Sequence, residues 1–206
     1  MKQSYEIAKE LYDIQSVQIK VAGYFTWTSG IQSPIYCDNR LTMSYPTVRQ
    51  KVRDAFIEKV AALKWKPDVV AGCATAGIPH AAWLAEELNV PMVYVRSSAK
   101  GHGKENQIEG TFKKGQKILV IEDLISTGGS SIHAAQALRA AGGEVIGVLA
   151  IFTYGLAKST SQFADADIEF DTITGFDELL EVLLEEDQIK TADKQKLLAW
   201  RDQVEI

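Results

Sequence analysis

Cysteine is nearly missing from this chain: Cys37 and Cys73 are the only two among 206 residues. They form no CxxC pair and no metal-ligand spacing, which argues against a disulfide scaffold and against a zinc site. Each lies in an apolar neighbourhood, which predicts two reduced, buried thiols. Histidine is also sparse, and His80 and His133 have no partner at metal-binding intervals. Long hydrophobic runs are lacking. No stretch reaches the roughly 20 apolar residues that a membrane-spanning helix needs. The opening MKQSYEIAKELYDI is amphipathic and charged, without the apolar centre of a secretory signal. A cytoplasmic protein is the expectation. Basic excess is absent too: 22 Lys and Arg stand against 27 Asp and Glu, a formal charge of -5. That balance argues against a nucleic-acid binder, which needs a basic surface to meet phosphates.

Apolar residues make up 46% of the chain, enough for a sizeable core without covalent staples. The length suits one domain over residues 1–206, with residues up to about 45 forming a small N-terminal cap. Five short apolar runs stand out, at residues 69–71, 92–95, 118–121, 145–152 and around 168–170. The middle runs are continuous rather than alternating, the pattern of strands buried on both faces. Helical periodicity over residues 79–88 and 132–141 separates them, the second ending at Gly142-Gly143, a C-cap signal. This rhythm predicts an α/β fold with an open, mostly parallel sheet flanked by helices. Helices are also expected over residues 5–17 and 46–63, Pro46 suiting a first turn. Residues 23–30 read as an extended or hairpin segment, and residues 176–206 as helical and acidic.

The strongest chemical signal is the apolar strand Ile118-Leu119-Val120-Ile121 running into Glu122-Asp123-Leu124-Ile125-Ser126-Thr127-Gly128-Gly129-Ser130-Ser131 and the start of a helix. Helix N-termini present unpaired N–H groups and the positive end of a dipole. Glycines let a backbone approach an anion, and hydroxyls add donors, so the segment reads as a phosphate cradle. It matches neither GxxxxGK[ST] nor GxGxxG. Two carboxylates would repel a bare phosphate. A ligand with hydroxyls beside its phosphate resolves this, because Glu122 and Asp123 would accept from ribose hydroxyls and stabilise positive charge at the anomeric carbon. Residues 96–107 form a long, cationic, Gly-flanked loop that reads as a lid over an anionic leaving group. The turn at residues 73–79 could offer N–H groups to pyrophosphate.

Taken together, residues 121–130 resemble the phosphoribosyl pyrophosphate (PRPP) motif of type I phosphoribosyltransferases. Arg96 with Lys100-Gly101-His102-Gly103 resembles the lid of the orotate phosphoribosyltransferase family. Phe25-Thr26-Trp27-Thr28-Ser29-Gly30, then Ser33-Pro34, resembles the N-terminal substrate segment of that family, and Gly77-Ile78-Pro79 fits as well. The resemblance implies reaction of orotate with PRPP, using Mg2+, to give orotidine 5'-monophosphate and pyrophosphate in pyrimidine synthesis. It implies a homodimer whose lid reaches into the partner's site. By position, Arg96, Lys100 and His102 would bind pyrophosphate, and Lys100, His102 and Asp123 would carry catalysis. Glu122 and Asp123 would hold the ribose. Thr127, Gly128, Gly129 and Ser130 would hold the 5-phosphate, with Leu124, Ile125 and Ser126 completing the PRPP segment and Ser126 lying near orotate. The chain departs from common family patterns at Thr28, Ala76 and Ser97, where Lys is frequent, and at Phe152-Thr153-Tyr154, where an Arg is frequent. Two alternatives remain beside this reading: a phosphoribosyltransferase for another nucleobase, and a regulator that senses PRPP.

Overall fold

A computed structural model describes residues 2–27, 30–97 and 107–204. The chain begins with helix α1 (Lys2–Asp13), followed by strand β1 (Val17–Ile19). The expected helix over residues 5–17 therefore stops early. Gln15 takes a left-handed φ of 60°, and Val17 turns into an antiparallel pairing with Cys37 of β4 (Ile35–Cys37). Between these strands, β2 (Phe25–Thr26) and β3 (Gln32–Ser33) pair antiparallel, which is the expected hairpin. A 3-10 turn (Asn39–Ser44) leads into α2 (Pro46–Ala62), with Pro46 in its first turn. The i, i+4 stripe of Val48, Val52, Phe56 and Val60 is buried.

The main sheet contains β5 (Val69–Cys73), β6 (Met92–Val95), β7 (Ile108–Glu109), β8 (Lys117–Ile125), β9 (Glu144–Thr153) and β10 (Phe170–Gly175), in the spatial order β10-β9-β8-β5-β6-β7. All neighbours are parallel except β6 with β7. The α/β class read from the apolar runs holds. Residues 118–121 are completely buried because β8 lies mid-sheet with helices on both faces. A fully buried side chain such as Phe152 contributes roughly 1.5–3 kcal/mol relative to exposure. The fifth run is displaced: Ile168 precedes the strand, which starts at Phe170.

Helix α3 (Gly77–Leu88) follows β5, and α4 (Gly129–Ala140) follows β8. Ala81, Leu84 and Ala85 of α3 pack into one core with α1 and α2, whereas Ala134, Ala135 and Leu138 of α4 pack into a second core with α5 (Ala157–Asp165). The two helices therefore cover opposite faces. Helix α4 closes at Ala141 and a left-handed Gly142, as the glycine pair suggested. The C-terminal stretch is two helices, α6 (Phe176–Glu185) and α7 (Thr191–Gln203). No helix among the described residues is long and apolar enough to cross a membrane.

Candidate active site

The chain leaves β5 through α3 to reach β6 on one side, then returns to β8 on the other. The carboxyl ends of β5 and β8 thus feed helices on opposite faces, and the crevice between them is where open parallel sheets hold ligands. Strand β8 is longer than its apolar run and pairs with β9 as far as Ile125 with Thr153. Glu122, Asp123 and Leu124 are consequently held by a central strand. Ile125 is fully buried, so only its backbone can meet a ligand.

The loop itself is residues 126–128. Gly128 adopts φ +89°, and a Cβ there would lie 2.7 Å from Phe163 Cε2, so glycine is required twice over. No side chain caps α4, which leaves its first-turn N–H groups unclaimed. At Gly129 an added Cβ would meet nothing within 4 Å. The protein gives this glycine no internal reason to lack a side chain, but an anion approaching the backbone would. Beside the loop, a cleft of about 310 Å3 is lined by Cys73, Ala74, Arg96, Ser97, Ser130 and His133. A larger groove of about 430 Å3 beside β7 and the far half of α4 has no charged lining residue and lies away from the carboxylates.

Glu122 is buried at 6% exposure. Its Oε1 accepts from the Asp123 N–H at 3.0 Å and its Oε2 from the Ser131 hydroxyl at 3.2 Å. Burial pushes the Glu122 carboxyl up to about 8, and the adjoining Asp123 carboxyl adds to this. Asp123 is also raised by burial, with Arg40 among the groups that pull it back. The thiol of Cys73 is raised by burial and by Glu122 beside it, and Cys37 by burial and the Asp123 charge. Both thiols are unpaired, but only Cys73 is fully buried; Cys37 is partly exposed at the end of β4.

The hairpin reaches the same edge from the other side. Trp27 stacks on Tyr154, just beyond β9, with 5.2 Å between ring centroids, and meets Trp200 of α7 edge-on at 6.1 Å. Its Nε1 donates to the Ile35 carbonyl at 3.0 Å. The amide of Asn39 donates to the Asp123 carbonyl at 2.7 Å.

Comparison with known proteins agrees with this geometry. A model of the phosphoribosyl transferase domain matches residues 44–177. The orotate phosphoribosyltransferase of Oceanobacillus iheyensis is 58% identical over 197 residues, covering 96% of this chain and 98% of that protein. The chain belongs to the orotate phosphoribosyltransferase family. The crystal structure of orotate phosphoribosyltransferase from Aeropyrum pernix matches with a TM-score of 0.76 at 28% identity, over 89% of this chain and 99% of that one. UMP synthase of Leishmania donovani matches with a TM-score of 0.79 at 31% identity, and this chain spans 42% of that longer protein.

Within this family fold, the structure brings Glu122, Asp123, Leu124, Ser126, Thr127, Gly128, Gly129 and Ser130 to one strand–loop–helix junction. Arg96 lies at the end of β6, its Nη1 3.6 Å from Glu109 Oε1 and its N–H on the Gln107 carbonyl at 2.9 Å. Lys100, His102, Thr28 and Ser29 lie outside the described residues. His133 meets the Gln107 amide at 2.6 Å, and His80 is buried on α3. Sequence reasoning missed Asn39 and Arg40, and it gave Ser131, the last residue of the phosphate segment, no role of its own. That role was findable, since a serine at the third position of a helix after an acid-ended strand faces back along it. Asn39 gave no local signal.

Proposed function

We propose that this chain transfers the ribose 5-phosphate group of PRPP to a ring nitrogen of orotate, releasing pyrophosphate, in pyrimidine synthesis. The observation that carries the reading is a buried, hydrogen-bonded acid pair at the end of β8, set against an uncapped helix whose first-turn glycine faces open space. A phosphate fits the helix end, and ribose hydroxyls fit the acids. Thr127, Gly128, Gly129 and Ser130 are assigned to the 5-phosphate, and Glu122 and Asp123 to the ribose. Leu124, Ile125 and Ser126 complete the segment, Ser126 on the orotate side. Arg96, Lys100 and His102 are assigned to pyrophosphate.

The bond from the anomeric carbon to pyrophosphate breaks as cations gather around the leaving group, the orotate nitrogen attacks the resulting cationic centre, and its N–H proton leaves to the released pyrophosphate or to solvent. The Asp123 carboxylate steadies that positive charge. The residues suit magnesium carried by substrate oxygens, since the described residues contain no cluster of three metal-ligating side chains and the two acids sit where ribose would lie. Bound there, the ion would supply charge to the departing pyrophosphate.

We read residues 1–206 as one domain with an N-terminal cap, acting as a homodimer that shares the lid. Support comes from Tyr36, Leu41, Met43 and Tyr45: these exposed large apolar side chains all lie within one ten-residue stretch, a face suited to a second copy. A cytoplasmic location fits the reduced thiols.

The test follows orotate by its ultraviolet absorbance with PRPP and Mg2+. Loss of orotate that requires all three components and the protein is expected. Turnover with adenine, hypoxanthine, xanthine or uracil but not orotate would move the acceptor assignment. PRPP binding without turnover of any base would favour the regulator.

A further inference from the structure

Four buried polar side chains lie in the floor beneath the proposed site, where a core would ordinarily be apolar. Ser16, Asn39 and Thr42 are fully buried, and His80 is 2% exposed. They form one chain of hydrogen bonds. The Thr42 hydroxyl has a single proton, which goes to the backbone carbonyl of Asn39 at 2.6 Å. His80 Nε2, at 3.3 Å from the same oxygen, must therefore be the donor. Its Nδ1 is buried without a partner among the described residues, and burial holds the ring neutral by lowering it to about 4. The Ser16 hydroxyl lies 2.8 Å from Asn39 Oδ1 and 3.1 Å from the Asp38 carbonyl, and the shorter contact directs its one proton to Oδ1. A reversed amide would set oxygen against the Asp123 carbonyl, so Nδ2 is the atom that faces it at 2.7 Å.

The destination of this chain is specific. The β5–β8 register ends at Gly72 with Ile121. Lys117, which shares the parity of Asp123 along β8, sends its carbonyl to the Asp68 N–H on the β5 side. The Asp123 carbonyl thus points where β5 has already turned away toward α3. Asn39 supplies the donor that the missing strand residue would have given, at the residue whose carboxylate the reaction uses.

We propose that Asn39, braced by Ser16, Thr42 and His80, is a positioning residue that sets the placement of the Asp123 carboxylate. This rests on the reading of Asp123 as part of the active site. Asn39 touches no substrate; it acts through the backbone of Asp123. Misplacement of a reacting group by about 1 Å costs on the order of 100-fold in rate.

The experiment is a double-mutant cycle in steady-state kinetics with PRPP, orotate and Mg2+, on wild type, Asn39→Ala, Asp123→Asn and the double variant. Asn39→Ala should lose about 10- to 100-fold in kcat with the KM for PRPP nearly unchanged. In the Asp123→Asn background the same change should cost almost nothing further. Asn39→Asp keeps the volume and the Ser16 contact but removes the donor, so it should be as slow as Asn39→Ala. Rescue by Asn39→Asp, or losses that multiply in the double variant, would show a packing role and overturn the proposal. Wild-type turnover by Asp123→Asn would remove the active-site reading, and the proposal with it. If Asn39→Ala does not fold, Thr42→Val carries the cycle, with a smaller loss that must also vanish beside Asp123→Asn.

Discussion

Trp27 of the N-terminal hairpin lies flat against Tyr154 beyond β9, with 17° between the ring planes. Two segments far apart in sequence thus meet over the carboxyl edge of the sheet, on the side where the acceptor base is assigned. Trp27→Ala should raise the KM for orotate about tenfold, consistent with losing an aromatic contact of roughly 1 kcal/mol plus part of its burial. The KM for PRPP should move less. Trp27→Phe should recover most of the loss. Equal changes in both constants would detach the hairpin from acceptor binding.

The two loop glycines should respond oppositely to alanine. At Gly128 the left-handed backbone and the Phe163 clash act together. Gly128→Ala should lose about 1–3 kcal/mol in urea unfolding, along with PRPP binding. Gly129 has open space around it. Gly129→Ala should keep or slightly raise stability, by up to about 1 kcal/mol, yet weaken PRPP binding. Unimpaired binding by a stable Gly129→Ala would remove the phosphate from that position.

Glu122 gives the protein a pH signature. Its folded value, about 8, lies above the ordinary 4.5. Between those two values the folded chain keeps a proton that the unfolded chain has released. Stability should therefore fall as pH rises through that window, at up to ~1.4 kcal/mol per pH unit for one proton. Ribose hydroxyls favour the carboxylate form, so binding of magnesium PRPP at pH 7 should expel protons. Calorimetry in buffers of different ionisation enthalpy reads this directly. Glu122→Gln should abolish the release, and proton uptake by wild type would contradict the ribose assignment.

Lys100 is assigned to the departing pyrophosphate, where charge builds only as the bond breaks. Lys100→Ala should slow kcat by about 100- to 1,000-fold while leaving thermal unfolding unchanged. Unaltered turnover would sink the assignment.

How much of this was legible follows from the range of each contact. Strands β5, β8 and β9 are buried on both faces, so burial wrote them as continuous apolar runs. The acid pair and glycine loop are contiguous, so their place at one strand–loop–helix junction could be read from the sequence. The extension of β8 through Ile125 depends on its register with β9 and left no mark of its own. The switch of Val17 from helix to strand depends on Cys37. Asn39 acts on a residue 84 positions away, and the Trp200 indole donates to the Gln32 carbonyl across 168. Such pairings have no period, because the fold alone brings them together.

The placement of the acid pair on β8 has a consequence for exchange and for change over time. A strand flanked by β5 and β9, and covered on both faces, releases its amide protons to solvent only when the whole molecule opens. Glu122 follows directly on the buried run of residues 118–121, while Asp123, past the end of the β5 pairing, is tied in by β9 and by the Asn39 amide. The hairpin instead has two short strands at the periphery, fastened by a few aromatic contacts. The residues assigned to ribosyl chemistry thus continue a central strand, while those assigned to the acceptor sit on a peripheral piece that can be rewritten without reopening the core.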